Sequence, residues 1–196
     1  MKALKISDMS GKLTGIPAIN TSPKDNPFCQ AMHAGGCEVC THCYSHAMLD
    51  GHRRNCRPAW ARNGEILSKG PLGKLPAFKP GETVRFSGHG ELHNAQHMSN
   101  LFAICRHNPD VQFTLWTKRI RLVQSVIRKE GKLDNLILIR SSHNLNKRDS
   151  LPKYFDKVFT VWSYDHKSIC CGKRKCKDCM ICYGGSNRTY VDELLK

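Results

Sequence analysis

The stretch Thr83-Val84-Arg85-Phe86-Ser87-Gly88-His89-Gly90-Glu91 reads as a short β-strand ending in a glycine-rich polar turn. The residues beyond Glu91 repeat that grammar. Met98, Leu101, Phe102 and Cys105 fall at the i, i+3, i+4, i+7 spacing of one helix face, and Val111 to Trp116 supplies a second strand. A second helix comes next, with Ile120, Val123 and Ile127 on one face, Leu122 and Val126 beside them, and Gly131 as its stop. Leu136 to Ile139 is a short, wholly apolar strand of the kind buried on both faces, and Lys157 to Trp162 is a fourth strand. Strands separated by helical crossovers favour a parallel sheet, open or curled into a partial or complete barrel. The expected fold is therefore α/β, in one domain over residues 1–196. Ligands in such folds gather where the carboxyl ends of the strands open into loops. Here those loops are Ser87 to Glu91, Thr117-Lys118, Arg140 to Asn144 and Ser163 to His166, all polar or charged.

Outward from this core the pattern loosens. Gly11, Gly15, Pro17, Asn20, Ser22, Pro23 and Pro27 break up residues 1–28 and predict an irregular lead-in. Residues 46–67 suit one or two short helices interrupted at Pro58, and three prolines with three glycines make 69–81 a connector. The chain thus divides into a lead-in (1–68), β/α repeats (82–166) and a tail (167–196).

Two copies of Cys-x-x-Cys-x-x-Cys-Tyr flank the repeats: Cys37, Cys40, Cys43 and Tyr44, then Cys176, Cys179, Cys182 and Tyr183. The opening residues have no apolar stretch fit for a signal peptide, and no run approaches membrane-spanning length, so a cytoplasmic protein without a membrane partner is expected. In that reducing compartment, cysteines grouped at two-residue spacing, among the eleven of the chain, read as metal or redox ligands rather than disulfides. Two intervening residues bring successive thiolates round a turn onto one centre, as in ferredoxin-type iron-sulfur ligation. The first group also contains Cys29, a possible additional ligand, with His33, His42 and His46 interspersed. Its structural alternative is a closed zinc site. In the second group Cys171, Cys176, Cys179 and Cys182 form the preferred set, with Cys170 in reserve; a zinc knuckle gripping nucleic acid is the alternative.

Thirty-one Lys and Arg against 16 acidic residues give a formal charge of +15, which attracts phosphate-bearing partners and keeps nucleic acid open as one. Part of that excess offsets anionic clusters, since Lys173, Arg174, Lys175 and Lys177 crowd the second cysteine group. Other residues read more plainly. Cys105 belongs to an apolar stripe, Cys56 is a free thiol, His93 and His97 are surface or capping residues, and the tryptophans pack. Gly88 and Gly90 serve positive backbone dihedrals, while His143 and His166 partner backbone groups.

Three cysteines closing on Cys43-Tyr44, followed by a strand that ends in a glycine-glutamate turn, resemble the radical S-adenosylmethionine superfamily, especially its small phage-encoded branches, including the gene product 88 family. Gly11-Lys12-Leu13-Thr14-Gly15-Ile16-Pro17 with Asn20-Thr21-Ser22 is similar to the start of those proteins, and Leu115-Trp116-Thr117-Lys118-Arg119 resembles their strand-end Leu-Thr-Lys-Arg. The resemblance implies a partial (β/α) barrel with cysteine-rich segments near both ends, two four-iron clusters and S-adenosylmethionine as cofactor. Cys37, Cys40 and Cys43 would hold three irons and leave the fourth for S-adenosylmethionine. Ser87, Gly88, His89, Gly90 and Glu91 would receive its amino group, and Ser141, Ser142 and Asn144 would lie near ribose and carboxylate, with Lys118 in the same cofactor-binding set. Reductive cleavage on an unknown substrate would need an electron donor, in the host cytoplasm if the protein is phage-encoded. This chain has two residues where the superfamily's commonest triplet has three. Were Cys29 to take the fourth iron, the protein would be non-catalytic, serving electron transfer, cluster storage or regulation. A zinc-dependent nucleic-acid-binding protein is the third expectation.

Overall fold

Alternation along the strands sorts their side chains onto two faces, and the two faces meet different partners. The computed structural model describes residues 3–172, 174–184 and 186–195. Its sheet has seven strands lying side by side in chain order: β1 (Ile6–Ser7), β2 (Ala18–Ile19), β3 (Thr83–Phe86), β4 (Gln112–Thr117), β5 (Leu136–Leu145), β6 (Lys157–Trp162) and β7 (Tyr190–Leu194). Only β1 against β2 is antiparallel; the remaining neighbours run parallel, as the β/α alternation predicts. The helices are α1 (Pro27–Ala31), α2 (Glu38–Thr41), α3 (Tyr44–Asp50), α4 (Arg57–Lys69), α5 (Ala95–His107), α6 (Ile120–Glu130) and α7 (Cys176–Cys179).

On one face Val84, Phe86, Phe113, Leu115, Leu136 and Leu138 pack against Leu67 of α4 and the apolar stripes of α5 and α6, Cys105 included. Phe86 stacks on Phe113 at 4.9 Å, and Phe78 of the connector meets Phe113 edge-on at 5.8 Å. Among the described residues no long helix joins the cluster on the opposite face. Trp116 and Ile139 instead pack with Ile16 and Tyr183, and Ile137, Phe159, Cys176 and Cys182 join that cluster. The second cysteine group is therefore a lid on the inner face of the sheet.

Several details differ from the sequence expectation. The lead-in contributes β1 and β2, each two residues long, because their pairing is supplied from elsewhere: β2 hydrogen-bonds in register with Arg85 and Phe86. A single buried amide secures them. Asn63 of α4 accepts from Lys5 N at 2.8 Å and donates to Lys5 O at 2.8 Å and Asn20 O at 2.9 Å. Pro58 does not interrupt a helix but sits in the first turn of α4, where its missing N–H costs nothing. β5 continues past Ile139 to Leu145, with a register shift against β6 between Ser141 and Leu145, so polar residues expected in a loop lie on a bulged strand. The tail ends in β7, parallel to β6.

The Phe86–Phe113–Phe78 stack predicts a large core penalty. Phe113→Ala is expected to lower unfolding free energy by about 3–5 kcal/mol, read as a lower urea midpoint at unchanged slope.

A cysteine-walled cavity at the strand ends

Each copy of the cysteine motif is shaped locally by turns. Cys37 caps α2, and Cys40 N to Cys37 O at 3.0 Å and Cys43 N to Cys40 O at 3.1 Å wind the first three thiols into successive tight turns. The Cys37 thiol also reaches His143 O on β5 at 3.3 Å. Cys40 donates toward Cys37, which lowers the Cys37 pKa, with Lys118 assisting, and raises that of Cys40. Cys29 sits on α1, whose cap Asn26 accepts Phe28 N at 3.0 Å and Cys29 N at 3.3 Å while donating to Glu91 O at 2.8 Å. Burial, followed by the charges of Glu91 and Cys43, pushes the Cys29 thiol up. His33 and His46 stack at 3.9 Å, and His33 Nδ1 meets Cys40 O at 2.8 Å.

The strand-end turn after β3 is locked by the lead-in. Asn20 Oδ1 accepts His89 N at 3.0 Å, and Thr21 N donates to His89 O at 3.1 Å. Ser87 takes a positive φ of 52° and Gly90 one of 81°, whereas Gly88, expected to do the same, does not. A Cβ at Gly90 would overlap the hydroxyl and carbonyl oxygen of Thr21, and one at Gly88 would fall 2.8 Å from Asn20 Oδ1. Both glycines are thus required by close approach. His89 is buried, stacked on Trp60 at 4.4 Å, with Nδ1 2.8 Å from Ser45 Oγ. Glu91 is also buried, and joins two strand ends. Its Oε1 accepts Thr117 Oγ1 at 2.7 Å and Leu92 N at 2.8 Å, and its Oε2 accepts Lys118 N at 2.7 Å. Burial raises its pKa, opposed by those three donors.

Lys118 Nζ donates to Ser141 Oγ at 2.6 Å, and both face a cavity of about 530 Å³. Cys29, Cys40 and Cys43 line one side of that cavity; Cys171, Cys176 and Cys182 line another. The glycine-glutamate turn, Ser87 to Glu91, completes the wall. Ser142 and Asn144 bond each other instead, through Ser142 Oγ and the Asn144 backbone at 3.1 Å, and neither lines the cavity. A second, smaller cavity of about 40 Å³ is bounded by Cys170, Cys171, Cys176, Cys179 and Cys182. Burial raises Cys171 to about 11 and Cys182 to about 12. Lys12 joins this group to the lead-in, donating to Glu193 Oε1 at 3.1 Å and Cys171 Sγ at 3.6 Å. Among the described residues no three His, Cys, Asp or Glu side chains converge as a single ion requires, so donor chemistry carries the choice of metal. Lys173, expected near the second group, lies outside the described residues.

Other expectations find their places. His97 is buried rather than on the surface, and its Nδ1 accepts His93 N at 3.1 Å beside the Asn94 cap of α5. His166 Nδ1 pairs with Ser168 Oγ at 2.7 Å. Sequence reasoning passed over Arg85, which lines the cavity with its guanidinium 3.9 Å over Trp116. Period-two alternation was the signal: with Val84 and Phe86 in the core, Arg85 must face the other way.

Fold and cavity together define a mainly parallel α/β protein whose two thiol groups share one cleft. Residues 2–182 match the Gene product 88 family, a phage-type protein family, and the chain belongs to it. That match spans both cysteine groups and stops before β7. Comparison with curated proteins and with solved structures finds no match. No described helix is long and apolar enough to cross a membrane.

Two outcomes are expected for stability. Gly90→Ala should cost about 2–4 kcal/mol in denaturant unfolding, whereas Gly70→Ala, with open space at its Cβ, stays near wild type. Burial pushes His89 and His97 down to about 3. Folding therefore favours their neutral forms, giving stability that is present above the ordinary histidine value of 6.5 and lost as pH falls toward about 3. The urea midpoint should drop through that window, and His97→Gln should flatten the drop.

Proposed function

We propose that the protein holds two iron-sulfur clusters, one in each cysteine group, and that it cleaves S-adenosylmethionine reductively on a substrate lodged between them. One observation carries this reading: thiols from both copies of a soft-ligand motif, Cys40 and Cys43 from one and Cys176 and Cys182 from the other, line a single cavity at the ends of parallel strands, while Cys37 and Cys179 lie outside its lining. The residues present suit such groups. Thiol donors wind into tight turns, and Lys118, Lys12 and Arg85 bring positive charge to where anionic clusters would lie. The strand order supports a partial barrel, since parallel strands in chain order with α5 and α6 on one face leave the other face to curve around a ligand.

Cys37, Cys40 and Cys43 would hold the first cluster, and Cys171, Cys176, Cys179 and Cys182 the second, with Cys170 adjacent. A reduced cluster with an open iron supplies the electron that breaks a sulfonium bond. The protein's own part is to bind and orient. Glu91 Oε2, with one donor in place, keeps acceptor capacity for an ammonium. Lys118 and Ser141, bonded to each other in the cavity wall, would take carboxylate and ribose oxygens. An electron-donating protein partner belongs to the same proposal.

A second reading draws on Cys29, which lines the same cavity and feels the charge of Cys43. As a fourth ligand it would close the first cluster and make the protein a non-catalytic iron-sulfur protein.

Anaerobically purified protein is expected to be brown, with about eight irons and eight acid-labile sulfides per chain, and Cys43→Ala and Cys176→Ala should each lose about half. Reduction with S-adenosylmethionine should release 5'-deoxyadenosine, unchanged in Cys29→Ala. Release only in Cys29→Ala, with an altered iron signal, would establish the closed cluster. Colourless protein carrying stoichiometric zinc after anaerobic reconstitution would refute both readings.

A further inference from the structure

The tyrosines that close the two copies of the repeat, Tyr44 and Tyr183, both lie within electrostatic reach of Arg85, and all three line the cavity. Arg85 lies with its guanidinium 3.9 Å over the Trp116 ring and its side chain beside the Tyr183 hydroxyl. Its Nε is buried and completes no hydrogen bond, and no carboxylate pairs with it among the described residues. Tyr183 is 4% exposed, and its hydroxyl is likewise buried without a well-directed partner. Arg53 adds a second such group to the same cavity: one arm donates to Ser10, while its Nε is buried and unpaired.

Burying donors unpaired costs free energy, and a chain with 16 acidic residues had carboxylates to spare for pairing them. A planar guanidinium backed by an aromatic ring, beside an unpaired hydroxyl, is the arrangement that grips a carboxylate or phosphate in a forked geometry. Countercharge for the second cysteine group explains Arg85's positive charge, since Cys176 and Cys182 both feel it. It leaves unexplained why the buried Tyr183 hydroxyl, beside Arg85, completes no well-directed hydrogen bond.

We propose that Arg85 and the Tyr183 hydroxyl form an oxyanion site that binds a carboxylate or phosphate group of the small molecule occupying the cavity. Calling that molecule the substrate rests on the proposed function; the anion site itself needs only the cavity. Lys118 and Ser141 stand apart from it as the pair assigned to the cofactor.

The test is the unfolding temperature of the full chain, purified anaerobically, against rising inorganic phosphate or acetate at ionic strength held constant with chloride. A saturable rise with either anion is expected, and the anion that binds more tightly identifies the group. Arg85→Gln and Arg85→Lys should each abolish or strongly weaken the response, the lysine because it loses the fork. Tyr183→Phe is the decisive variant. Without added anion it should stay close to wild-type stability, since the lost hydroxyl makes only a poorly directed contact with Arg85, yet bind the anion about tenfold more weakly. The proposal is overturned if chloride reproduces the rise, or if Tyr183→Phe and Arg85→Lys retain wild-type binding. Saturating S-adenosylmethionine should leave the anion response intact, and competition between the two would overturn the substrate assignment. Colourless protein with a normal anion response would sink the cluster reading alone.

Discussion

The Glu91 carboxylate, buried where β3 gives way to its turn, organises the working end of this protein. Its three hydrogen bonds, to Thr117 Oγ1, Lys118 N and Leu92 N, fasten the ends of β3 and β4 together. The same segment offers Glu91 O to Asn26, which caps the helix bearing Cys29. Desolvation works against a buried carboxylate, and three donors in fixed positions are what make it tolerable. From that one group the position of Lys118, the turn at Ser87–Gly90 and the first cysteine segment all follow.

The cavity is the second consequence. Helices cover one face of the sheet, and on the other the chain folds its tail back so that Tyr183, Cys176 and Cys182 pack against Trp116, Ile137 and Ile139. A lid made from a short cysteine-rich segment cannot fill the space a helix would. What is left is a cleft lined by thiols of both cysteine groups and by four of the chain's 31 basic residues, Lys12, Arg53, Arg85 and Lys118.

Much of the framework is legible in the sequence because it obeys periodicity. Thr83–Phe86, Lys157–Trp162 and the helices α5 and α6 announce themselves through burial patterns repeated within a few residues. Elements stabilised from a distance are not legible. β1 and β2 exist because β3 pairs with β2 and Asn63, more than forty residues away, holds the flanking backbone of Lys5 and Asn20, and β7 because β6 offers an open edge. β5 runs on past its apolar residues because β6 continues to pair with it beyond a bulge.

For the site the division is similar. The amino-acid sequence by itself determined the donor chemistry, two thiol triplets each closed by tyrosine, the glycine-glutamate turn after a strand, and a strongly basic chain, because residue identity and local spacing specify these without reference to any neighbour. Only the tertiary structure decided that two thiols of each triplet, Cys40 and Cys43 with Cys176 and Cys182, share one cleft, that Ser141 enters it while Ser142 and Asn144 do not line it, and that Arg85 and Tyr183 meet there without well-directed hydrogen bonds. Those outcomes depend on which strand pairs with which and on how far the tail folds back, and such long-range packing leaves no periodic mark on the chain.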